Sequence, residues 1–280
     1  MSTKIAVAII HGVGKQDEHF ADGMKAELQQ RFVSQLPTAI SFPEAEIVIE
    51  SVFWAPVLQR KENRLWEKMK GAANLDFLDL RQMMIDIAAD AVAYQPAPND
   101  RDVYDNIHRL VARTLRRLAQ KAGSDAPLAV IAHSLGTVIA SNYFYDLQTA
   151  HRRPLSGKVR SVVGRSPSAL EAGKTFARFF TMGSPIAIWS LRYGNFGTPV
   201  HLTHHDKEWL NFFDEDDIIG YPLKSVNKLY KKNVTRDVSV NVGNLLTSWN
   251  PASHLGYWTD NDVTVPIAES LVRLWKAVNG

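Results

Sequence analysis

The sequence predicts an α/β protein with a mostly parallel central sheet of about six strands and helices on both faces. Three observations lead to this prediction. Short apolar, β-branched runs alternate along the chain with segments of helical periodicity. The first and third of these runs are continuously apolar, as in strands that are covered on both faces. The 280 residues are 45% hydrophobic and 22% charged, a composition typical of globular proteins with a substantial core.

Six runs are predicted to be strands because they are rich in apolar and β-branched residues. They are Ile5–Ile10, Ala45–Phe53, Leu128–Ala132, Thr175–Met182, Trp209–Phe213 and Val238–Val242. In the last run, valines alternate with polar residues, which predicts a half-exposed strand nearer an edge of the sheet.

Helical periodicity is clear between the second and third predicted strands. Apolar residues from Ile107 to Leu118 recur at i, i+3 and i+4, with arginines on the opposite face. Asp262 is predicted to cap a last helix. Residues 56–98 carry no strand signal and are predicted to form a helical insertion in a single domain over residues 1–280. A cap over an apolar pocket and an extra packing layer both remain open for this insertion.

Composition excludes several classes of function. The chain has no Cys, so disulfides, thiolate metal sites and a Cys nucleophile are excluded. The formal net charge of +3 is too small to indicate a nucleic-acid partner. The apolar run Ile5–Ile10 is too short for a signal peptide or a membrane span. We therefore expect a soluble, cytoplasmic protein.

The strongest motif is Ala132-His133-Ser134-Leu135-Gly136, which follows an apolar strand and precedes a helix. It fits the strand–nucleophile–helix turn G-x-S-x-G, with Ala132 in place of the first Gly. Small residues are needed two positions before and after the Ser because the turn is tight. The motif predicts Ser134 to be a nucleophile; the alternative is a Ser in an ordinary βα turn.

A Gly-rich loop, His11-Gly12-Val13-Gly14-Lys15, follows the first strand. A loop in this place can supply one oxyanion donor, and the residue after the nucleophile supplies the other. We therefore predict that the backbone amides of Val13 and Leu135 form an oxyanion hole, and that His11 braces the loop. A phosphate-binding loop fits poorly, since Gln16 follows Lys15 and the first Gly of that motif is missing.

A Ser–His pair needs a carboxylate to hold the imidazole. Four acids follow the fifth predicted strand, and Asp217 is the predicted partner because burial of the adjacent Ile218-Ile219 would draw it inward. Asp214 is the alternative, and Asp216 is expected to face solvent. His254, in a loop after the last strand, completes the chain order Ser, Asp, His.

The sequence also contains His201, His204, His205 and Asp206, but their spacing matches no standard metal site. We interpret them as surface or packing residues. No metal and no cofactor is predicted.

The segments IIHGVGKQ, IAHSLGTVIA, FFTMGSPIAIW, DEDDIIGYPL and SHLGYW together resemble the α/β-hydrolase superfamily. Within it they are most similar to a lipase-like branch, the DDHD-type phospholipases and GPI inositol-deacylase-like lipases. The resemblance implies an α/β-hydrolase fold and a triad of Ser134, Asp217 and His254. The chain departs from that pattern at Ala132 and at Ile218, where a Pro is common.

These observations predict a serine hydrolase that cleaves carboxylic esters of a small molecule or a lipid through an acyl-enzyme. A thioesterase or peptidase with the same triad, and an inactive binding module, are the alternatives. The basic connection 151–174 is open to two interpretations, a solvated loop or a weak contact with an anionic membrane surface. The sequence does not predict an oligomeric state.

Overall fold

A single six-stranded sheet, parallel throughout, organises the part of the chain that the computed structural model describes. That part comprises residues 2–13, 16–70, 89–97, 100–242 and 253–280, without the side chains of 60–62, 70 and 253–255. The strands are β1 (Ile5–Ile10), β2 (Ile47–Val52), β3 (Leu128–His133), β4 (Phe176–Met182), β5 (Glu208–Asp214) and β6 (Arg236–Val240). Their order across the sheet is β2-β1-β3-β4-β5-β6. The predicted α/β class is confirmed.

Each predicted strand corresponds to a strand of the sheet, with small differences at the ends. The second strand begins at Ile47, because Pro43–Glu46 forms a 3-10 helix with Pro at its start. The last strand lies two residues earlier than predicted, at Arg236–Val240. It pairs only with β5 and is partly exposed, as the alternating pattern predicts for an edge strand.

The helices cover both faces of the sheet. They are α1 (Asp22–Ser34), α2 (Pro56–Lys70), α3 (Asp102–Ala122), α4 (Leu135–Thr149), α5 (Gly157–Val163), α6 (Ile186–Trp189), α7 (Lys228–Asn233) and α8 (Asn261–Asn279). Short 3-10 helices at Ser190–Arg192, Gly194–Phe196 and Ser253–Trp258 lie in the connections. None of the helices in these ranges is both long and apolar enough to cross a membrane.

The alternation of side chains along β1 divides the core into two layers. Ile5, Val7 and Ile9 pack with residues of α1 and α8 on one face. Ala6, Ala8 and Ile10 pack with residues of α3 and α4 on the other face. Both sets are fully buried, which explains why this strand is continuously apolar rather than alternating.

Two predictions about the connections are corrected. Asp260, rather than Asp262, caps α8: its backbone is extended and its carboxylate accepts a hydrogen bond from the Asp262 amide. The basic connection 151–174 is not a bare loop, because it contains α5, which packs against α3.

The predicted insertion 56–98 is helical where the structure describes it. Residues 56–70 form α2 and residues 89–94 are helical. Residues 71–88 and 98–99 lie outside the described residues.

The end of β1 and the start of α4 approach each other unusually closely. A Cβ atom built on Gly136 would lie 2.5 Å from the carbonyl oxygen of His11 and 2.6 Å from that of Ile10. Ile10 ends β1, which is paired on both sides, and His11 follows it directly, so these backbone atoms cannot easily move aside. The absence of a side chain at Gly136 is therefore a condition of this packing.

We predict that Gly136→Ala lowers the free energy of unfolding by about 1–3 kcal/mol, because the added methyl group overpacks a rigid backbone contact. Chemical denaturation with urea, followed by circular dichroism, measures the change.

Gly157→Ala is the matched control, since nothing lies within 4 Å of a Cβ atom at this exposed helix position. It should be neutral or should stabilise the protein by up to about 1 kcal/mol. Equal effects of the two substitutions would contradict the close-approach argument.

Candidate functional site

The strand order places a crevice at the carboxyl ends of β1 and β3. The chain passes from β1 to β2 on one side and then returns to β3 on the other side of β1. At such a switch point the connections that leave adjacent strands diverge, and open α/β sheets bind ligands there. Gly12 and Val13 follow β1, and Ser134 follows β3. The two motifs that the sequence singled out therefore meet at this point of the sheet.

Ser134 has a strained backbone. Its φ of 53° and ψ of −129° lie in a region that residues with side chains rarely adopt. Such strain costs about 1–3 kcal/mol and persists only where the surroundings enforce it. Here the Ser134 amide donates to the Met182 carbonyl oxygen at 2.9 Å, and the Thr137 hydroxyl donates to the Ser134 carbonyl oxygen at 2.7 Å. The turn is held from both sides.

The loop that follows β1, residues 11–15, is called the β1 loop. Its Gly12 lies directly against this serine. A Cβ atom on Gly12 would be 2.5 Å from the Ser134 Cβ and 3.1 Å from its Oγ. Val13, the next residue, is thus close to the serine, although Gly14 and Lys15 lie outside the described residues. Leu135 opens α4, and the amide of a first helical residue has no acceptor within its own helix. The predicted donors thus belong to the residue after Gly12 and the residue after Ser134.

Asp217 is buried and accepts two hydrogen bonds. The Ile219 amide donates to its Oδ1 and the Tyr257 hydroxyl donates to its Oδ2, each at 2.9 Å. Its burial at 5% exposure matches the prediction, but the predicted reason is wrong, because the adjacent Ile218 is 76% exposed. The carboxylate is drawn inward by its hydrogen-bond donors. A Cβ atom at Gly220 would lie 2.8 Å from its Oδ2, so the turn closes around it.

The neighbouring acids have different surroundings. Asp214 is also buried, and both donors to its carboxylate are backbone amides: Asp216 donates to Oδ1 at 2.9 Å and Val242 to Oδ2 at 2.8 Å. This holds the loop to the end of β6. Asp216 is exposed, as predicted. Of these three acids, Asp217 is the buried one whose carboxylate receives a side-chain hydroxyl.

A buried polar network supports the loop that carries Asp217. Asn211, on β5, donates to the Tyr221 carbonyl oxygen at 2.9 Å and to the Asp237 carboxylate at 2.8 Å. Asp237 in turn accepts from the amides of Leu223 and Lys224. The chain from residue 214 to residue 224 is therefore tied to both β5 and β6.

The 3-10 helix Ser253–Trp258 brings the predicted His254 to this edge of the sheet. The His254 backbone belongs to that helix, while its side chain lies outside the described residues. Gly256 lies close behind the end of β6, since a Cβ atom there would collide with the Val242 carbonyl oxygen. Trp258 lies 5.3 Å from the His133 ring. The His254 backbone therefore lies near the loop that carries Asp217.

Tyr257 is a site residue that the sequence reasoning missed. Its hydroxyl accepts from the Asp214 amide and donates to the Asp217 carboxylate, both at 2.9 Å, and its ring lies 5.7 Å from that of His133. Burial and the nearby Asp217 charge raise the Tyr257 pKa far above its ordinary range, so the hydroxyl stays protonated. An aromatic residue three positions after His254 gave no signal of this role beyond its polarity.

His11 braces the β1 loop, as predicted. Its Nδ1 donates to the Gly12 carbonyl oxygen at 2.7 Å, and its Nε2 accepts from the Trp54 amide at 3.0 Å. The imidazole also stacks on the Trp54 ring, with centroids 4.7 Å apart. Burial lowers the His11 pKa to about 4, which keeps the ring neutral.

Of the histidines before β5, His201 and His205 are exposed, and His204 is tied to the neighbouring backbone. The Asp206 amide donates a hydrogen bond to His204 Nδ1 at 3.2 Å. The Asp206 carboxylate forms an ion pair with the buried Arg178 at 3.0 Å. Among the described residues, no group of three or more His, Asp or Glu side chains is arranged to hold a metal ion.

Comparison of the chain with models of known protein families finds no match, and comparison with curated proteins finds none either.

Because His11 is buried and neutral, we predict that the free energy of unfolding decreases in acid. Its pKa is about 4 in the folded protein, against 6.5 for an unperturbed imidazole. Between these values the unfolded chain binds a proton that the folded protein does not, so stability falls as the pH drops from about 6.5 to 4. The full effect is about 3 kcal/mol. Urea denaturation of the protein and of His11→Asn, between pH 7 and pH 4, should show a steeper pH dependence for the unsubstituted chain.

Parallel slopes in the two proteins would contradict this assignment. Since other histidines titrate in both proteins, only the difference between them reports on His11. An NMR titration of the His11 ring provides a second readout, and it should show no protonation above pH 5.

Proposed function

We propose that the protein is a serine hydrolase of the α/β-hydrolase fold that cleaves carboxylic esters, with Ser134 as nucleophile. One observation carries the proposal: a buried serine with positive φ on a tight turn between a central strand and a helix, at the switch point of a parallel sheet. Strain of this kind is found at functional sites and is not needed for an ordinary βα turn.

The proposed reaction proceeds through an acyl-enzyme. His254 accepts the proton of the Ser134 hydroxyl while Oγ bonds to the acyl carbon. The oxyanion that forms accepts hydrogen bonds from the Val13 and Leu135 amides, each donor contributing about 2.7–4 kcal/mol in comparable sites. His254 then passes the proton to the leaving alcohol as the ester bond breaks. Water, deprotonated by His254, releases the carboxylic acid and restores Ser134.

Asp217 is the proposed carboxylate partner of His254. It would fix the imidazole tautomer and stabilise the imidazolium. Its burial supports this role, because a charge pair is stronger away from solvent. Tyr257, through its hydrogen bond to Oδ2, is a positioning residue that orients the carboxylate.

We propose that a cavity beyond the first turn of α4 receives an apolar acyl group, although Ser134 itself does not line it. The cavity has a volume of about 200 Å³ and lies between α4 and residues 186–198. Val138, one helical turn after Ser134, and Ile186 form its apolar wall, and Trp189 and Tyr230 add aromatic rings. A small-molecule ester and a lipid ester both remain candidates for the substrate.

We expect a fluorophosphonate probe to label the protein covalently with a stoichiometry of one and Ser134→Ala to abolish the label. The strained turn presents one activated hydroxyl, and the alanine removes the attacking oxygen. Intact-mass spectrometry measures the adduct, and p-nitrophenyl butyrate measures the accompanying loss of hydrolysis.

Ser161→Ala is the control, because Ser161 is exposed on α5 and lies outside the site. It should label and hydrolyse like the unsubstituted protein. A folded protein that forms no adduct would instead favour a binding module with an inactive hydrolase fold.

The acid assignment predicts that Asp217→Asn lowers kcat by about 10⁴, the loss seen when a triad carboxylate becomes an amide. Asp216→Asn, next to it but exposed, should stay within a few-fold of the original kcat. Steady-state hydrolysis of the same ester measures both, with thermal unfolding to verify that each variant is folded.

Asp214→Asn tests the alternative. Its two bonds from backbone amides indicate a structural role, so we expect a loss of stability with a smaller effect on kcat. If Asp214→Asn loses most of its kcat while Asp217→Asn keeps nearly all of it, the triad acid is Asp214 rather than Asp217.

A further inference from the structure

A second, larger groove lies on the outer side of α4. It has a volume of about 830 Å³ and is formed by α3, α4, the connection between α4 and α5, and the 3-10 helix after α6. Neither Ser134 nor any residue of the β1 loop lines it. The groove is therefore separate from the proposed catalytic serine, although Asn142, Tyr145 and Tyr193 line both it and the smaller cavity.

More positively than negatively charged residues line the groove. Four arginines and two aspartates line it: Arg101, Arg152, Arg153, Arg192, Asp105 and Asp146. Burial lowers the pKa of His108, the remaining basic residue of the wall, which keeps it neutral. The groove thus carries an excess of two positive charges.

Both aspartates are already engaged. Asp105 pairs with Arg101 at 3.5 Å. Asp146 accepts a hydrogen bond from the Tyr104 hydroxyl at 2.8 Å and lies 3.5 Å from His108 Nδ1. In the part of the chain that the structure describes, Arg152 and Arg153 form no ion pair and are exposed. Among the described residues, no carboxylate would therefore compete with a ligand for these two guanidinium groups.

Two other arginines are held in place by aromatic rings. The Arg192 guanidinium lies 5.6 Å from the ring centroid of Trp189 and 5.9 Å from that of Tyr193. The Arg101 guanidinium lies 4.9 Å from the centroid of Tyr104. Such contacts reduce the entropy that an arginine loses when it binds an anion.

We propose that this groove is a binding site for a phosphate-type dianion, held chiefly by Arg152, Arg153 and Arg192. Guanidinium groups match the geometry of phosphate oxygens, which they bind bidentately. A phosphate monoester carries close to two negative charges at neutral pH, which equals the excess positive charge of the groove. The same chemistry is present in a soluble phosphorylated compound and in a phosphomonoester lipid headgroup.

The test measures binding in the Ser134→Ala background, so that it does not depend on whether the protein is a hydrolase. Isothermal titration calorimetry with inorganic phosphate, at constant ionic strength in chloride, represents the soluble source. Co-sedimentation with phosphatidylcholine vesicles, with or without 20% phosphatidic acid, represents the lipid source. In whichever arm shows binding, the added double substitution Arg152→Gln/Arg153→Gln should raise the Kd at least tenfold relative to Ser134→Ala alone.

The matched control is Arg160→Gln/Arg165→Gln. Both arginines are exposed and lie in the same 151–174 connection, but neither lines the groove. Their substitution removes the same charge as that of Arg152 and Arg153. It should bind like its parent. Binding of phosphate that only the groove variant loses supports the site with a soluble ligand. Binding confined to vesicles with phosphatidic acid, and lost in the same variant, supports it with a lipid headgroup.

Three results would overturn the proposal: no binding in either arm, equal losses in the two double variants, or vesicle binding that ignores phosphatidic acid. Because the serine is absent throughout, none of these results bears on ester hydrolysis. Conversely, if the unsubstituted protein is folded but hydrolyses no ester and forms no adduct, while Ser134→Ala binds phosphate through Arg152 and Arg153, the proposed function is refuted and the groove assignment stands.

Discussion

The close backbone contact between the end of β1 and the turn into α4 is the constraint on which the site depends. It exists because neither Gly12 nor Gly136 has a Cβ atom, which would fall within 2.5 Å of its neighbours. The contact sets the β1 loop beside Ser134 and keeps the serine at a positive φ. The strain, about 1–3 kcal/mol, is offset by hydrogen bonds from the Ser134 amide and from Thr137. This one backbone contact therefore positions the β1 loop, the turn at Ser134 and the first amides of α4.

On the other side of the site, Tyr257 performs a comparable function by hydrogen bonding. Its single hydroxyl joins the β5 loop to the 3-10 helix Ser253–Trp258, since it contacts both the Asp214 amide and the Asp217 carboxylate. The loop is further held by the buried Asn211–Asp237 pair. These contacts are satisfied in a buried environment, where an unpaired polar group would be expensive. The carboxylate is consequently fixed from several directions, independently of the proposed His254 partner.

Helix α4 relates the candidate serine site to the arginine groove. Ser134 precedes its first residue, Val138 lines the smaller cavity, and Asn142 and Tyr145 line both cavities. These positions are three or four residues apart, so they follow one face of the helix. Asp146 continues the face into the groove. With a rise of about 1.5 Å per residue, the helix spaces the two sites by roughly four turns at most.

The sequence by itself determined the sheet and the place of the turn, because burial on both faces and the absence of side chains at tight contacts leave a local pattern. Ile5–Ile10 is an example, and Gly136 is another. Tertiary structure alone decided what holds Asp217 inside: it is enclosed by Ile219, Gly220 and Tyr257, while the adjacent Ile218, which the sequence suggested as the cause, faces solvent. The arginine groove likewise escaped prediction, since its members come from distant segments. Contacts between residues far apart in the chain leave no local periodicity, and for that reason only the folded structure determines them.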